Sequence, residues 1–339
     1  KKYGRRKGDA VVGAIRHPRE GEGAGRQKYN AIVKIDAVNS RPIEEEESRK
    51  EFAELTPVNH DQRLRLETER EHTTQRVIDL FAPIGFGQRG LISGATGSGK
   101  TTTLQQIAAA VTKNHADAHL MMVLVDARPE EVTELQRSIN GEVIASTFDR
   151  SAEDHATVAE LAVERAKRLV ELGHDVVLLL DSVTRLGRAY QHAAAGASRV
   201  AGVAFDVSVL APVKRLLSAA RNLENGGSLT ILATANDAST SHTDELILEE
   251  LEGVWNMQLR LVGELAAQRI YPAIDLVASS TRREELLTSE SEVQVLNQIR
   301  REVAVQGVQA GLEAVLSRLA GTSSNVEFLS HVLRTKGLS

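Results

Sequence analysis

Two observations predict an α/β protein with a parallel central sheet. The first is Gly94-Ala95-Thr96-Gly97-Ser98-Gly99-Lys100-Thr101, which fits G-x-x-x-x-G-K-[ST] between an apolar strand and a helix. The second is the alternation of short apolar runs with amphipathic stretches from Arg76 onward, the pattern of strands covered by helices on both faces. Composition agrees. Of 339 residues, 42% are hydrophobic but only 3% aromatic, so the core must be aliphatic. The absence of Cys excludes disulfides and thiolate zinc sites. A net charge of −5 gives no overall nucleic-acid signature, so any such site must be a local patch. No apolar run approaches the roughly 20 residues that span a bilayer, and no signal peptide is seen. The expectation is a cytoplasmic protein with no membrane partner.

The chain opens with a basic cluster, Lys1, Lys2, Arg5, Arg6 and Lys7. Two alternating runs, Asp9 to Ile15 and Asn30 to Ile35, flank the Gly-rich segment Glu20 to Arg26, which is a hairpin pattern. Forty residues are too few for an independent β-domain, so residues 1–40 read as the C-terminal part of a small barrel. Residues 41–75 are charged, with Glu44 to Glu47 in a row, and read as a linker. Strands are then expected at Gly90–Ser93, Leu120–Asp126, Glu142–Ser146, Val176–Asp181 and Ser228–Thr234, with two more at Val254–Val262 and Arg269–Leu276. Thr102 to Lys113 reads as a helix. So does Glu153 to Leu172, with Val158, Leu161, Ala162, Ala166, Leu169 and Val170 at helical spacing. Ala235 to Thr243 is polar and reads as a loop, and Glu290 to Arg318 is helical. Residues 76–339 thus form one domain with C-terminal helices.

The chemistry centres on the phosphate loop. Its glycines let successive N–H groups face an anion, and the following helix adds its positive end. Lys100 reaches β- and γ-phosphates, and the Thr101 hydroxyl serves Mg²⁺. Gly94, Gly97, Ser98, Gly99, Lys100, Thr101 and Thr102 are therefore the nucleotide-binding set. Val176-Val177-Leu178-Leu179-Leu180-Asp181 is an apolar strand ending in an acid, which aims Asp181 at the same Mg²⁺. ATP and Mg²⁺ are the expected ligands. The second strand ends Leu124-Val125-Asp126-Ala127-Arg128. RecA-like ATPases keep a water-activating glutamate there, and Ala127 fills that slot. No His pair supports a further metal, and no nucleophile elbow supports a hydrolase triad.

Longer motifs carry a resemblance. Gly85-Phe86-Gly87-Gln88-Arg89-Gly90, Asp126-Ala127-Arg128-Pro129-Glu130-Glu131-Val132-Thr133-Glu134, Ser146-Thr147-Phe148-Asp149, Leu180-Asp181-Ser182-Val183-Thr184-Arg185-Leu186 and Thr281-Arg282-Arg283-Glu284-Glu285-Leu286-Leu287 resemble the Rho family of bacterial transcription termination factors, in wording like its actinobacterial members. The resemblance runs from about Gly8 to about Phe328. It implies a RecA-like P-loop ATPase domain preceded by the C-terminal part of an OB-fold β-barrel, the barrel's front half being absent. It also implies a homohexameric ring that hydrolyses ATP, translocates single-stranded RNA and acts on the RNA polymerase transcription complex. By motif matching, Arg128 couples the ATP site to the ring, Arg269 and Arg282 reach a neighbour's ATP, and Tyr271 stacks on adenine. Tyr29 matches an aromatic of the OB-fold. The pore loops match Gly196–Asp206, with Arg199, and Ser239–Asp244, with His242. The catalytic set is then Lys100, Asp181, Arg128, Arg269 and Arg282.

The chain departs from the family pattern at functional positions. Gly97 stands where a lysine is usual, Ala127 where a glutamate is, and Glu252 where an interface lysine is. Ser239-Thr240-Ser241-His242 replaces a lysine-bearing pore loop, and Val203 and Ala204 replace usual residues of the other. These changes imply an ATPase lowered by Ala127 and Glu252, and they support a second reading, a hydrolysis-impaired ATP- and RNA-binding paralogue. The loop alone also looks like secretion ATPases of types II and IV, whose acidic and histidine boxes are not found here.

Overall fold

The computed structural model describes residues 6–16, 31–42, 50–197, 207–224, 226–237 and 241–336. Near the N-terminus, β1 (Val11–Arg16), β2 (Ala31–Val38) and β3 (Arg41–Pro42) form a small antiparallel sheet. The segment Glu20 to Arg26, Tyr29 and the run Glu44 to Glu47 lie outside the described residues. The rest of the chain builds around one large sheet. Its strands are β4 (Pro57–Val58), β5 (Arg89–Gly94), β6 (His119–Ala127), β7 (Glu142–Thr147), β8 (Asp175–Asp181), β9 (Arg221–Leu223), β10 (Ser228–Asn236), β11 (Met257–Leu261) and β12 (Ser280–Thr281). The order is β12-β11-β5-β10-β8-β6-β7, parallel throughout except for β12 at one edge. Short β9 pairs antiparallel with the start of β10, and β4 with β9.

The strands are apolar on both faces because both faces are covered. Successive side chains alternate between two cores. Val177 and Leu179 of β8 join Leu120, Met122 and Leu124 of β6 in one; Val176, Leu178 and Leu180 join Met121, Val123 and Val125 in the other. The helices are α1 (Thr73–Phe81), α2 (Lys100–Asn114), α3 (Pro129–Ser138), α4 (Ala152–Val170), α5 (Val183–Ala197), α6 (Ala211–Leu217), α7 (His242–Leu251), α8 (Gly263–Ala267), α9 (Glu290–Gln306), α10 (Val308–Ala320) and α11 (Asn325–Lys336). Local signals set their ends. Ser151 caps α4 by accepting the Asp154 N–H at 3.2 Å. Ser289 and Glu292 close a reciprocal capping box on α9.

Two expectations are corrected, and the helical tail is found divided. Residues 50–75 are not a solvated linker. Phe52, Leu64 and Leu66 are buried, and Leu64 N donates to Ile84 O at 2.7 Å, so the segment belongs to the two cores, Phe52 to one and Leu64 and Leu66 to the other. Arg269–Leu276 is not a strand. Pro272 has no N–H for a ladder, and the Asp275 carboxylate accepts from Val277 N and Ala278 N, closing a turn. Only Ile274 bridges to Leu261. The tail Glu290–Arg318 is two helices, broken at Gly307 with φ 87 and ψ 162, a conformation essentially confined to glycine. There, α10 and α11 turn back and are pinned to α1 by Arg76, which is 1% exposed. Its guanidinium donates to the carbonyls of Leu319 (3.0 Å) and Thr322 (3.1 Å) and to the side chains of Asn325 (3.2 Å) and Thr322 (2.8 Å).

Gly307→Ala is expected to lower the unfolding free energy by about 1–3 kcal/mol, read by urea titration; an unchanged midpoint would show that the break does not need glycine. A second expectation concerns pH. Burial raises the Asp79 carboxyl from its ordinary 3.8 to about 6, against Arg63 and the N–H groups of Glu67 and Leu66 that bond it. The folded chain therefore binds more protons than the unfolded one between about pH 4 and 6, and this group's contribution to stability falls as pH rises through that window. The stability difference between wild type and Asp79→Asn should change across that window and level off above it. A difference independent of pH would refute the buried titration.

Candidate functional site

The site lies at the carboxyl ends of the parallel strands. β5 runs into the phosphate loop, where Gly97 (φ 81) and Gly99 (φ 98) take left-handed conformations that a side chain would strain. Gly99 caps α2, whose first residue is Lys100. The Lys100 ammonium donates to the carbonyls of Gly94 (2.7 Å) and Ala95 (2.8 Å). Burial is the largest influence on it and draws its pKa below the usual lysine value; Asp181 and Asp237 oppose that.

Sheet register brings the second group in. Gly94 of β5 pairs with Asn236 of β10, and β8 on the other side of β10 ends at Asp181. Thr101 Oγ1 donates to Asp181 Oδ2 at 2.6 Å, and Thr234 Oγ1 of β10 donates to Asp181 Oδ1 at 2.8 Å. A hydroxyl and a carboxylate side by side suit a hard divalent cation that takes its remaining oxygens from water and phosphate. Among the described residues no cluster of three or more His or acidic side chains offers another metal site. The loop also fits an anion. The Ser98 hydroxyl is buried within it without a protein partner, and the N-terminus of α2 stands behind it.

Beside the loop is a cleft of about 320 Å³ lined by Gly97, Gly99, Thr102, Gln106, Tyr271 and Pro272, among others. Tyr271 is half-exposed, and its hydroxyl donates to Ala266 O at 3.2 Å. The turn that replaced the expected strand thus carries the ring to the nucleotide end. Gly94, Gly97, Ser98, Gly99, Lys100, Thr101, Thr102, Tyr271 and Asp181 are brought together as the sequence implies.

The arginines are distributed otherwise. Arg269 is exposed just after α8, two residues before Tyr271. Arg128 is exposed at the start of α3. Arg282 follows β12, whose Thr281 pairs with Met257 at the start of β11, while Leu261 at the end of β11 pairs with Gly94. Arg282 and the phosphate loop therefore occupy opposite ends of the sheet within one chain. Glu252 is exposed at the Arg282 end, in a turn pinned by Arg89, which donates to Val254 O at 2.7 Å and Ala220 O at 3.1 Å. His242 opens α7, largely exposed, with Nδ1 3.2 Å from Glu245 Oε2. Arg199 lies outside the described residues, as does most of Gly196–Asp206. Ala127 is 2% exposed, in the core cluster that also holds Leu124 and Leu135.

Sequence reasoning missed Thr234 and Arg185. Thr234 is a hydroxyl in an otherwise apolar strand end, Leu232-Ala233-Thr234-Ala235, and that polarity is the signal that could have found it. Arg185 donates to the Asp126 carbonyl at 3.0 Å, a contact between distant segments that carries no local signal.

Comparisons with known proteins agree with this geometry. Residues 74–281 match the nucleotide-binding domain of the ATP synthase alpha/beta family. An ATPase from a type III secretion system has the same fold, with TM-score 0.68 and 22% identity over 83% of this chain and 86% of that one. Transcription termination factor Rho of Micrococcus luteus is 55% identical over 99% of this chain and 49% of its own length. Rho of Streptosporangium roseum is 51% identical over 99% of this chain and 84% of its own length. The chain spans about half the length of several of the curated relatives it matches. With identity of this order along nearly its whole length, on a RecA-like sheet with its phosphate loop and Asp181 in place, the chain belongs to the transcription termination factor Rho family.

Proposed function

We propose that the chain hydrolyses ATP as a subunit of a homohexameric ring that translocates single-stranded RNA in the cytoplasm and terminates transcription by acting on the RNA polymerase transcription complex. The observation that carries this is the Thr101–Asp181–Thr234 chain at the phosphate loop of a Rho-family sheet. Lys100 and the loop N–H groups hold the triphosphate, Thr101 and Asp181 would hold Mg²⁺, and Tyr271 covers the base. The ion neutralises phosphate charge when bound; the protein's part is to orient the γ-phosphate for attack by water, which yields ADP and phosphate. Because Arg282 lies at the far end of its own sheet, its place in this reading is against a neighbour's γ-phosphate, whereas Arg269 stands at the Tyr271 end, and Arg128 couples the site to the ring. Ala127 offers water no group, and Glu252 sets negative charge at the Arg282 end. Both lower turnover in this reading. In this reading residues 1–40 belong to an RNA-binding OB-fold to which Tyr29 contributes an aromatic, and Arg199 and His242 line the pore.

Complementation tests the shared site. Lys100→Ala and Arg282→Ala are each expected to lose turnover, the latter by about 10³-fold or more, while Arg282→Ala still binds nucleotide. Mixing the two inactive proteins should restore ATPase, because mixed rings contain interfaces with both groups intact; no restoration would place Arg282 outside the neighbour's site. For RNA, Arg199→Ala should weaken poly(C) binding and flatten the slope of log K against log salt by about 0.7 for one lost phosphate contact. An unchanged slope would remove Arg199 from the RNA path.

A further inference from the structure

Beside Asp181 the end of β6 is irregular. The ladder between β6 and β7 slips between Val125 and Ala127, and Asp126, at the slip, takes φ 54. A bulge at the end of a strand re-aims the side chain it carries, and aspartate tolerates this left-handed conformation better than most residues. The result is local and clear. Val125 is fully buried and Ala127 is 2% exposed, whereas the Asp126 side chain between them is 46% exposed. The exposed acid at this strand end is Asp126.

Two groups hold it. Arg185 grips its carbonyl at 3.0 Å. On the side-chain side stands His155, in the first turn of α4, 7% exposed. Its Nε2 lies 3.9 Å from Asp126 Oδ1, and its Nδ1 lies 2.6 Å from the hydroxyl of Ser146, itself 3% exposed on β7. A serine buried this deeply reaches no substrate, so the three residues are not a nucleophilic triad. Their order suits another task. When the Ser146 hydroxyl donates to Nδ1, the ring proton sits on Nε2 and faces the carboxylate. This is how a second group fixes an imidazole's tautomer and orientation. Asp149 is the other acid near the ring, but it accepts a hydrogen bond from the Thr147 hydroxyl.

We propose that His155, fixed by Ser146, is a positioning residue that orients the Asp126 carboxylate toward the water attacking ATP, so that Asp126 supplies the acid that Ala127 cannot. The inference rests on the ATPase reading above. Asp126 accepts the proton of the attacking water as the new P–O bond forms and the bond to ADP breaks. His155 changes neither its charge nor its bonds in that step.

The test is ATP turnover and Mg-ADP binding by the 339-residue chain with poly(C). Asp126→Asn, an exposed and sterically neutral change, is expected to cut kcat by about 10²–10⁴-fold. His155→Leu should cut kcat by about 10–100-fold, with KM and Mg-ADP affinity held within about twofold. His155→Gln, which returns an N–H near the position of Nε2, should recover most of the loss. In the Asp126→Asn background, His155→Leu should cost nothing further, because the group it orients is gone. A wild type that turns over ATP while His155→Leu keeps its kcat, or a His155→Leu loss that persists in the Asp126→Asn background, overturns the positioning role and leaves the ATPase reading standing. A wild type with no turnover overturns both.

Discussion

The central strands β5, β10 and β8 share one register, in which Ile231 of β10 lies level with Arg89 of β5 and Leu178 of β8. Their carboxyl ends therefore stop close together, and Thr101, Thr234 and Asp181 fall within hydrogen-bonding reach. A slip of one residue in β8 would turn Asp181 to the opposite face and would also send Leu178 and Leu179 into each other's cores. Because both faces of the sheet are packed, the two errors are coupled. Burial of the strands thus fixes the position of an acid that is not itself fully buried.

Charge is used inside the fold as a fastener. Arg76 ties α1 to the turn between α10 and α11, and Arg89 ties the start of β5 to the turn before β11 and to Ala220 just ahead of β9. Burial draws the pKa of each arginine down, yet a guanidinium has donors enough to satisfy several carbonyls at once. Losing either would strand those carbonyls without partners, which is more costly than losing an exposed ion pair.

The parts of the molecule that could be read from sequence are those set by neighbours in the chain. The phosphate loop is one, since its glycines and Lys100 act over eight residues. Asp181 is another, since an apolar run must end at a sheet edge. The strands β5, β6, β8 and β10 fall where their apolar runs predict, because a strand buried on both faces has little choice of composition. What failed needed distant partners. Leu64 and Leu66 sit in a charged stretch, and only the groove against Ile84 and Asp79 makes them core. Arg269 to Leu276 alternates like a strand, but Asp275 folds back on its own backbone. His155 reads as one polar residue of an amphipathic helix until β6 and β7 bring Asp126 and Ser146 to its two nitrogens.

The placement of Arg282 gives the molecule a direction. One end of β11 adjoins the phosphate loop and the other adjoins the arginine, so the two ends present unlike surfaces. Two copies related by a two-fold axis would join like to like. Any contact that sets the arginine of one copy against the loop of the next is heterologous, and each added copy leaves the same two surfaces free at its ends. Such a chain of copies terminates only when the rotation per step closes a circle. Ring size is then a matter of the angle between neighbours, and a substitution far from any ligand that altered that angle would convert a ring into an open helix without changing a single group in the site.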